Sequence, residues 1–208
     1  MSIHSFLDRF ARDESGLAAE FALVLPLFLL LLLGTIDVGI YSWRINQLEK
    51  ATQAGARYAA VTDPVTSGLD VSFVNQTIGG TQIQQGDRLP QLDFYVRCDS
   101  TGCDPCQGTD CGTLGPIAFQ SIAFGNLADR MRAYYPGVQD ANIRVEYRGS
   151  GLGYAGDPNG PDAAPLITVR LVNLQYTPVT LSPIGTSVDL PDFAYSITAE
   201  DANGSRSN

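Results

Sequence analysis

From Leu17 to Ile36 the chain reads LAAEFALVLPLFLLLLLGTI, and from Leu29 to Leu33 apolar side chains fall on every face of a helix. Twenty residues at 1.5 Å each predict about 30 Å of helix, the thickness of a bilayer's hydrocarbon core. Glu20 is the only charge inside the run, and Asp37 lies just past its far end. This pattern predicts a membrane anchor. Tyr41 and Trp43 follow, residue types suited to a membrane–water interface. Beyond them, SWRINQLEKATQAGARYAA has no proline, and Ile45, Leu48, Thr52, Gly55 (or Ala56) and Ala59 recur at three and four residues. That spacing predicts one modest face rich in small residues, suited to close packing. The helix is expected to run over 17–61 and to stop at Asp63-Pro64.

The periodicity then shortens. Residues 65–92 are rich in Gly, Thr and Gln and predict a connection, with a short element around Val71–Ile78. Leu92–Arg97 (LDFYVR) predicts a strand that leads directly into a cysteine loop over 98–111. Pro116 predicts a helix start, with Phe124, Leu127, Met131 and Tyr134 on one stripe of Ile117–Tyr135 and Pro136-Gly137 as the stop. Asn142–Arg148 alternates Ile143, Val145 and Tyr147 with charged residues, a half-buried strand. Leu166–Tyr176 and Phe193–Glu200 predict two more strands, with Gly149–Pro165 as a long hairpin loop and the tail from Asp201 frayed. The fold class is α+β: a long N-terminal transmembrane helix continuing into a domain over 62–208 with an antiparallel sheet and at least one packed helix.

Residues 1–16 are polar and read as a short leader. A secretory signal would place small residues after its apolar run; here Ser15 and Gly16 precede it, so a cut at Ser15, Gly16 or Leu17 leaves the anchor in place. Such a leader is too short to be the translocated cargo, which puts the N-terminus in the cytoplasm and the domain outside.

Composition narrows the chemistry. The formal net charge is −9, and from Val61 onward sixteen Asp and Glu face eight Arg and no Lys, which argues against nucleic acid as a partner. The single histidine, His4, lies in the leader, so the domain has no Ser-His-Asp, Cys-His or His-ligated metal arrangement. Cys98, Cys103, Cys106 and Cys111 predict two disulfides of open pairing in an exported domain; zinc, with Cys-x2-Cys at the centre of the set, is the competing reading. The acids Asp87, Asp104, Asp140, Asp157 and Asp162 read as solvated turn residues. Gly151–Gly156 matches G-x-G-x-x-G, but Asp157-Pro158-Asn159-Gly160-Pro161 follows it and opens no helix, so no dinucleotide site is expected. Asp157, Asn159 and Asp162 miss a calcium-loop spacing. The expectation is a non-enzyme with no cofactor and no metal. Glu20 carries the clearest functional signal, because a charge inside the anchor is costly unless it is shallow or paired, and Pro26 removes a hydrogen bond from the same helix.

Arg12–Gly16, Ala18-Ala19-Glu20-Phe21-Ala22-Leu23-Val24-Leu25-Pro26, Gly34-Thr35-Ile36-Asp37-Val38-Gly39 and Asn46–Ala60 together resemble the TadE/TadG-like family of tight-adherence (Flp, type IVc) pilus assembly proteins. The similarity is strong over about residues 10–61 and faint beyond. The resemblance implies a pilin-like architecture: a single-pass bacterial inner-membrane protein with a periplasmic domain. It implies a minor pseudopilin or assembly component whose partners are membrane lipid, other pilin or pseudopilin subunits, the inner-membrane assembly platform and a prepilin peptidase, and which can be incorporated in a surface pilus. Cleavable members are cut after the glycine before the apolar helix, and the glutamate of Glu20-Phe21 would serve processing or docking on a neighbour's new α-amino group. Three residues separate Gly16 from Glu20 where the family pattern has four. Pro26, Gly34, Gly39 and Gly55 are the expected helix-packing positions. The alternative reading is an unprocessed, single-pass anchored periplasmic binding module.

Overall fold

The computed structural model describes residues 14–158, 160–182 and 185–199. The leader through Asp13, Asn159 of the calcium set, the final predicted strand residue Glu200 and the tail after it lie outside the described residues. The chain divides into two compact units, one of helix residues through Arg44 with Gln175–Val188, the other of Ile45–Leu174 and the residues from Asp189.

Helix α1 runs Glu14–Val61, straight through Pro26. It starts before the predicted boundary, so Glu14 to Gly16 of the expected leader are helical. In the first unit its apolar run is bare: Phe21, Leu23, Leu27 and Leu30 are all exposed, Leu27 at 69%. This helix is long and apolar enough to cross a membrane, and its apolar window is almost entirely unburied. Among the described residues, nothing covers those side chains.

In the second unit the helix pattern becomes one-sided. Leu48, Ala51, Thr52, Ala56, Ala59 and Ala60 are buried while Lys50 and Arg57 stay exposed. Leu48, Thr52, Ala56 and Ala59 belong to the spacing expected from sequence; Ala51 and Ala60 widen that face, and Ile45 at its start is only half-buried. Helix α2, Ser121–Arg132, buries Phe124, Leu127, Ala128 and Met131. A Cβ added at Gly55 would stand 2.8 Å from Met131 Cγ and Sδ. The absence of a side chain at Gly55 therefore lets α2 approach α1.

The main sheet holds five antiparallel strands in the order β4-β3-β5-β6-β9: β3 Tyr95–Asp99, β4 Gly102–Cys103, β5 Ile143–Arg148, β6 Leu166–Leu171 and β9 Phe193–Thr198. Register puts Val96, Tyr147, Ile167 and Ile197 in one row, and Cys98, Val145, Val169 and Tyr195 in another. Rows two residues apart along the strands share a face, so alternation sends the apolar set to one side. Val96, Ile143, Val145, Tyr147, Ile167, Val169 and Leu171 are buried there. The alternate rows carry Arg97, Arg144, Glu146, Arg148 and Arg170, with Arg170 Nε 2.9 Å from Glu146 Oε1. Two small hairpins complete the strands: β1 Thr77–Ile78 with β2 Thr81–Gln82, and β7 Gln175–Tyr176 with β8 Val188–Asp189.

Tyr147 is fully buried yet polar, and its hydroxyl accepts a hydrogen bond from Val65 N at 2.8 Å. Burial pushes its phenol well above the usual range. The hydroxyl thus satisfies a backbone N–H just past the end of α1.

Several predicted boundaries move. The helix expected from Pro116 begins at Ser121 instead. Residues 116–120 run extended because residues 65–68 pair with them: Ser67 N donates to Ala118 O at 2.9 Å, and Gln120 N to Val65 O at 2.8 Å. Gly68, at φ +84°, lies so close to Gly115 that a Cβ on it would stand 2.5 Å from that residue's carbonyl oxygen. The strand expected over Leu166–Tyr176 breaks after Leu171, and Asn173 sits at φ 56° before β7 resumes. The strand expected over 92–97 lies at 95–99 and turns back as β4 inside the cysteine loop.

Candidate functional site on the anchor helix

Of the positions expected to matter on the anchor, Glu20 and Phe21 are exposed, and Gly16 lies within helix α1. The Glu20 carboxylate makes no hydrogen bond or ion pair among the described residues. A Cβ built on Gly34 or Gly39 meets nothing within 4 Å. Of the three glycines expected to pack, Gly55 alone meets another element among the described residues.

A carboxylate that sequence reasoning passed over forms the most organised polar site in this unit. Asp37 is 6% exposed although it stands one residue past an all-apolar run. Its Oδ1 accepts from Val179 N at 2.7 Å, and its Oδ2 accepts from Thr180 N at 2.9 Å and from the Thr180 hydroxyl at 2.6 Å. The Tyr176 hydroxyl lies 3.3 Å from both Oδ1 and the Asp37 main-chain carbonyl.

The local sequence explains why these donors converge. Leu181 N and Ser182 N both donate back to Pro178 O, at 3.2 and 2.9 Å, closing one helical turn. A turn leaves its first N–H groups without intrahelical partners. Pro178 has none to leave, and its fixed φ suits the first position. The two free N–H groups that follow, Val179 and Thr180, meet the Asp37 carboxylate, which caps the turn from far along the chain. Tyr176 adds a ring contact to Tyr41, with centroids 5.7 Å apart, and lies beneath the Arg44 guanidinium, 4.8 Å from its carbon. Asp37, Tyr41 and Arg44 lie at spacings of four and three along α1, so they share one helix face. The sequence signal was present as a carboxylate at the end of an apolar run and an uncharged Thr-Pro-Val-Thr stretch 140 residues later, but periodicity does not link the two.

In the second unit, Lys50, Gln53, Arg57 and Tyr58 of α1 face Arg130 and Tyr134 across a groove of about 460 Å³. Lys50 is the sole lysine of the chain. The three cations gather within an otherwise acidic domain and form no ion pair among the described residues. Arg130 rests near the Tyr134 ring, 5.8 Å from its centroid.

The cysteines form two disulfides, Cys98–Cys103 across the β3–β4 hairpin and Cys106–Cys111 in the loop that follows. This answers the open question of pairing in favour of consecutive partners and leaves no free thiol among them. No group of three or more His, Cys, Asp or Glu side chains is placed to hold a metal ion among the described residues.

The turn acids divide. Asp104 pairs with Arg97 at 2.8 Å, and Asp140 with Arg132. Asp162, expected to be solvated, is instead 5% exposed, and its carboxylate accepts from Phe73 N at 2.7 Å and Asp157 N at 3.1 Å. It organises the 149–165 connection from within. Gly153 of the G-x-G-x-x-G match has φ +124°, and a Cβ there would stand 2.0 Å from Asp162 O. That glycine serves backbone contact inside a loop.

No curated protein and no solved structure matches the chain. One family does match, over the helix whose two halves carry the exposed apolar run and the Gly55 contact: residues 17–57 fit the model of the family described as TadE-like protein.

Proposed function

We propose that this chain is a structural, non-catalytic component of tight-adherence pilus assembly, working as a minor pseudopilin. The TadE-like match over α1 supports involvement in that system. The observation that carries the finer reading is the division of α1: the space beside Gly55 is filled by Met131, while a Cβ at Gly34 or Gly39, on the bare apolar half, meets nothing within 4 Å among the described residues. Small residues on a lipid-embedded helix let a second helix approach closely. On this reading the first half of α1 packs among the helices of other pilin or pseudopilin subunits and the inner-membrane assembly platform. Glu20 pairs with a cationic group on a neighbour, and the domain over 62–208 faces the periplasm.

A second reading, the unprocessed anchored binding module, draws on two observations. Gly16 lies within α1, and the Lys50–Arg57–Arg130 groove is a concave cationic surface. The deciding measurement is the N-terminal residue and intact mass of the protein from its host's membranes. A start at Gly16 or Leu17 supports the processed pseudopilin and the prepilin peptidase as a partner. A chain starting at Met1 or Ser2 supports the unprocessed reading.

A further inference from the structure

We propose that the turn Thr177–Ser182 is a second membrane contact, with Val179 and Leu181 resting in the interfacial layer of the bilayer where α1 leaves the hydrocarbon. The proposal rests on the reading of α1 as a membrane anchor and adds a lipid-binding surface far away in sequence.

Depth is fixed by hydrogen bonds. Val179 N and Thr180 N bind the carboxylate of Asp37, so the turn stands level with the first residue beyond the apolar run. With Leu17–Ile36 filling about 30 Å of hydrocarbon, that level is the boundary between acyl chains and headgroups.

The turn's chemistry suits that level. From Leu171 to Val188 the sequence has no charged residue, in a chain where 17% of residues are charged. Val179 is 54% exposed, an apolar side chain at the surface of a turn otherwise tied down. Leu181, two residues on, is half-buried.

The polar groups are already satisfied. Unpaired backbone N–H groups and an unpaired carboxylate are both costly near a low-dielectric phase. Here each supplies the other's partner, so the turn and Asp37 present the lipid with neither. In open water the same carboxylate would be solvated without help. Tyr41 and the 57%-exposed Trp43, within two turns of Asp37, add interfacial residue types along the same stretch. The turn is thus tied, through Asp37, to the end of the apolar run that the anchor reading already gives to lipid.

The test uses the full chain in phosphatidylcholine vesicles. Because the native cysteines are all paired, V179C and L181C can each carry a single nitrobenzoxadiazole label. The expected result is blue-shifted emission with quenching by lipids that carry a nitroxide near the headgroup end of the acyl chain, and protection from aqueous iodide. A label on I122C, exposed in the other unit, should show iodide quenching alone. A label on L27C reports the anchor itself through deep nitroxide quenching. If Leu27 is quenched at depth while labels at both 179 and 181 behave like that at 122, the turn does not touch lipid and this proposal is overturned. If Leu27 also fails to be quenched, the anchor reading falls with it.

Discussion

The two halves of helix α1 differ in what covers them. Between Phe21 and Ile36 apolar residues occupy all faces and stay exposed; between Ile45 and Val61 a single face of Leu, Ala, Thr and Gly is buried by the chain's own fold. A helix that is apolar all round asks for a surrounding medium, and one that is apolar on a stripe asks for a packed partner. The same backbone geometry therefore carries two burial patterns, with Asp37 capping a turn of its own chain at the end of the first half.

The sharpest way to test the contrast is to make one substitution in both halves. L48A removes a side chain with no exposed surface and should destabilise the domain by about 2–5 kcal/mol. L30A removes one that is 65% exposed and should leave unfolding of the domain within about 0.5 kcal/mol of wild type. Urea unfolding of the full chain in detergent micelles, followed by near-ultraviolet circular dichroism, measures both. Equal effects would erase the distinction between the halves.

Glycines give the next contrast. G55L must displace Met131, which has no exposed surface of its own, and overpacking of this kind costs about 1–3 kcal/mol. G34L meets open space among the described residues and should leave domain unfolding unchanged while reducing the co-purification with pilus subunits that the proposed function expects. Retained co-purification would remove Gly34 from the proposed helix contact.

At the far end of the packed half, Y147F removes the acceptor for Val65 N. A buried N–H left without a partner costs about 1–3 kcal/mol, toward the lower end where the chain can adjust locally. Hydrogen exchange should show faster opening at the end of α1 and not around Asp37.

The smallest expected effect is acid sensitivity confined to the domain. Asp93 is held below the ordinary carboxylate range by the backbone N–H and then the hydroxyl of Thr109, and Asp99 by the Thr101 hydroxyl. Depressed folded-state values stabilise the fold above the unfolded carboxylate range, and that contribution is lost as pH falls through the folded values. Circular dichroism between pH 5 and 2 should show loss of the β3 and cysteine-loop region before loss of helix signal from the anchor. T109V should move the loss to higher pH.

Sequence reasoning recovered what depends on local period. The long apolar helix, the small-residue face through Gly55, the alternating strand β5 and the apolar strand stretches that hold β6 and β9 each carry a signal within a few turns or pleats. It failed where a distant partner overrode a local cue. Pro116 reads as a helix start, yet residues 116–120 are drawn out by pairing with residues 65–68. Asp162 reads as a solvated turn residue because nothing nearby shows that Phe73 N needs an acceptor. Asp37 escaped for the same reason, since its partners lie beyond position 175.

The two disulfides link cysteines that follow one another along the chain, each pair five residues apart. Pairing therefore requires no contact between distant parts of the fold. On the proposed reading, in which the domain is exported to the periplasm, Cys98 would meet Cys103 before Cys106 is followed by Cys111, and plain order of arrival would select the right one of three possible pairings. Correct oxidation can thus be complete before β5, β6 and β9 have formed a sheet.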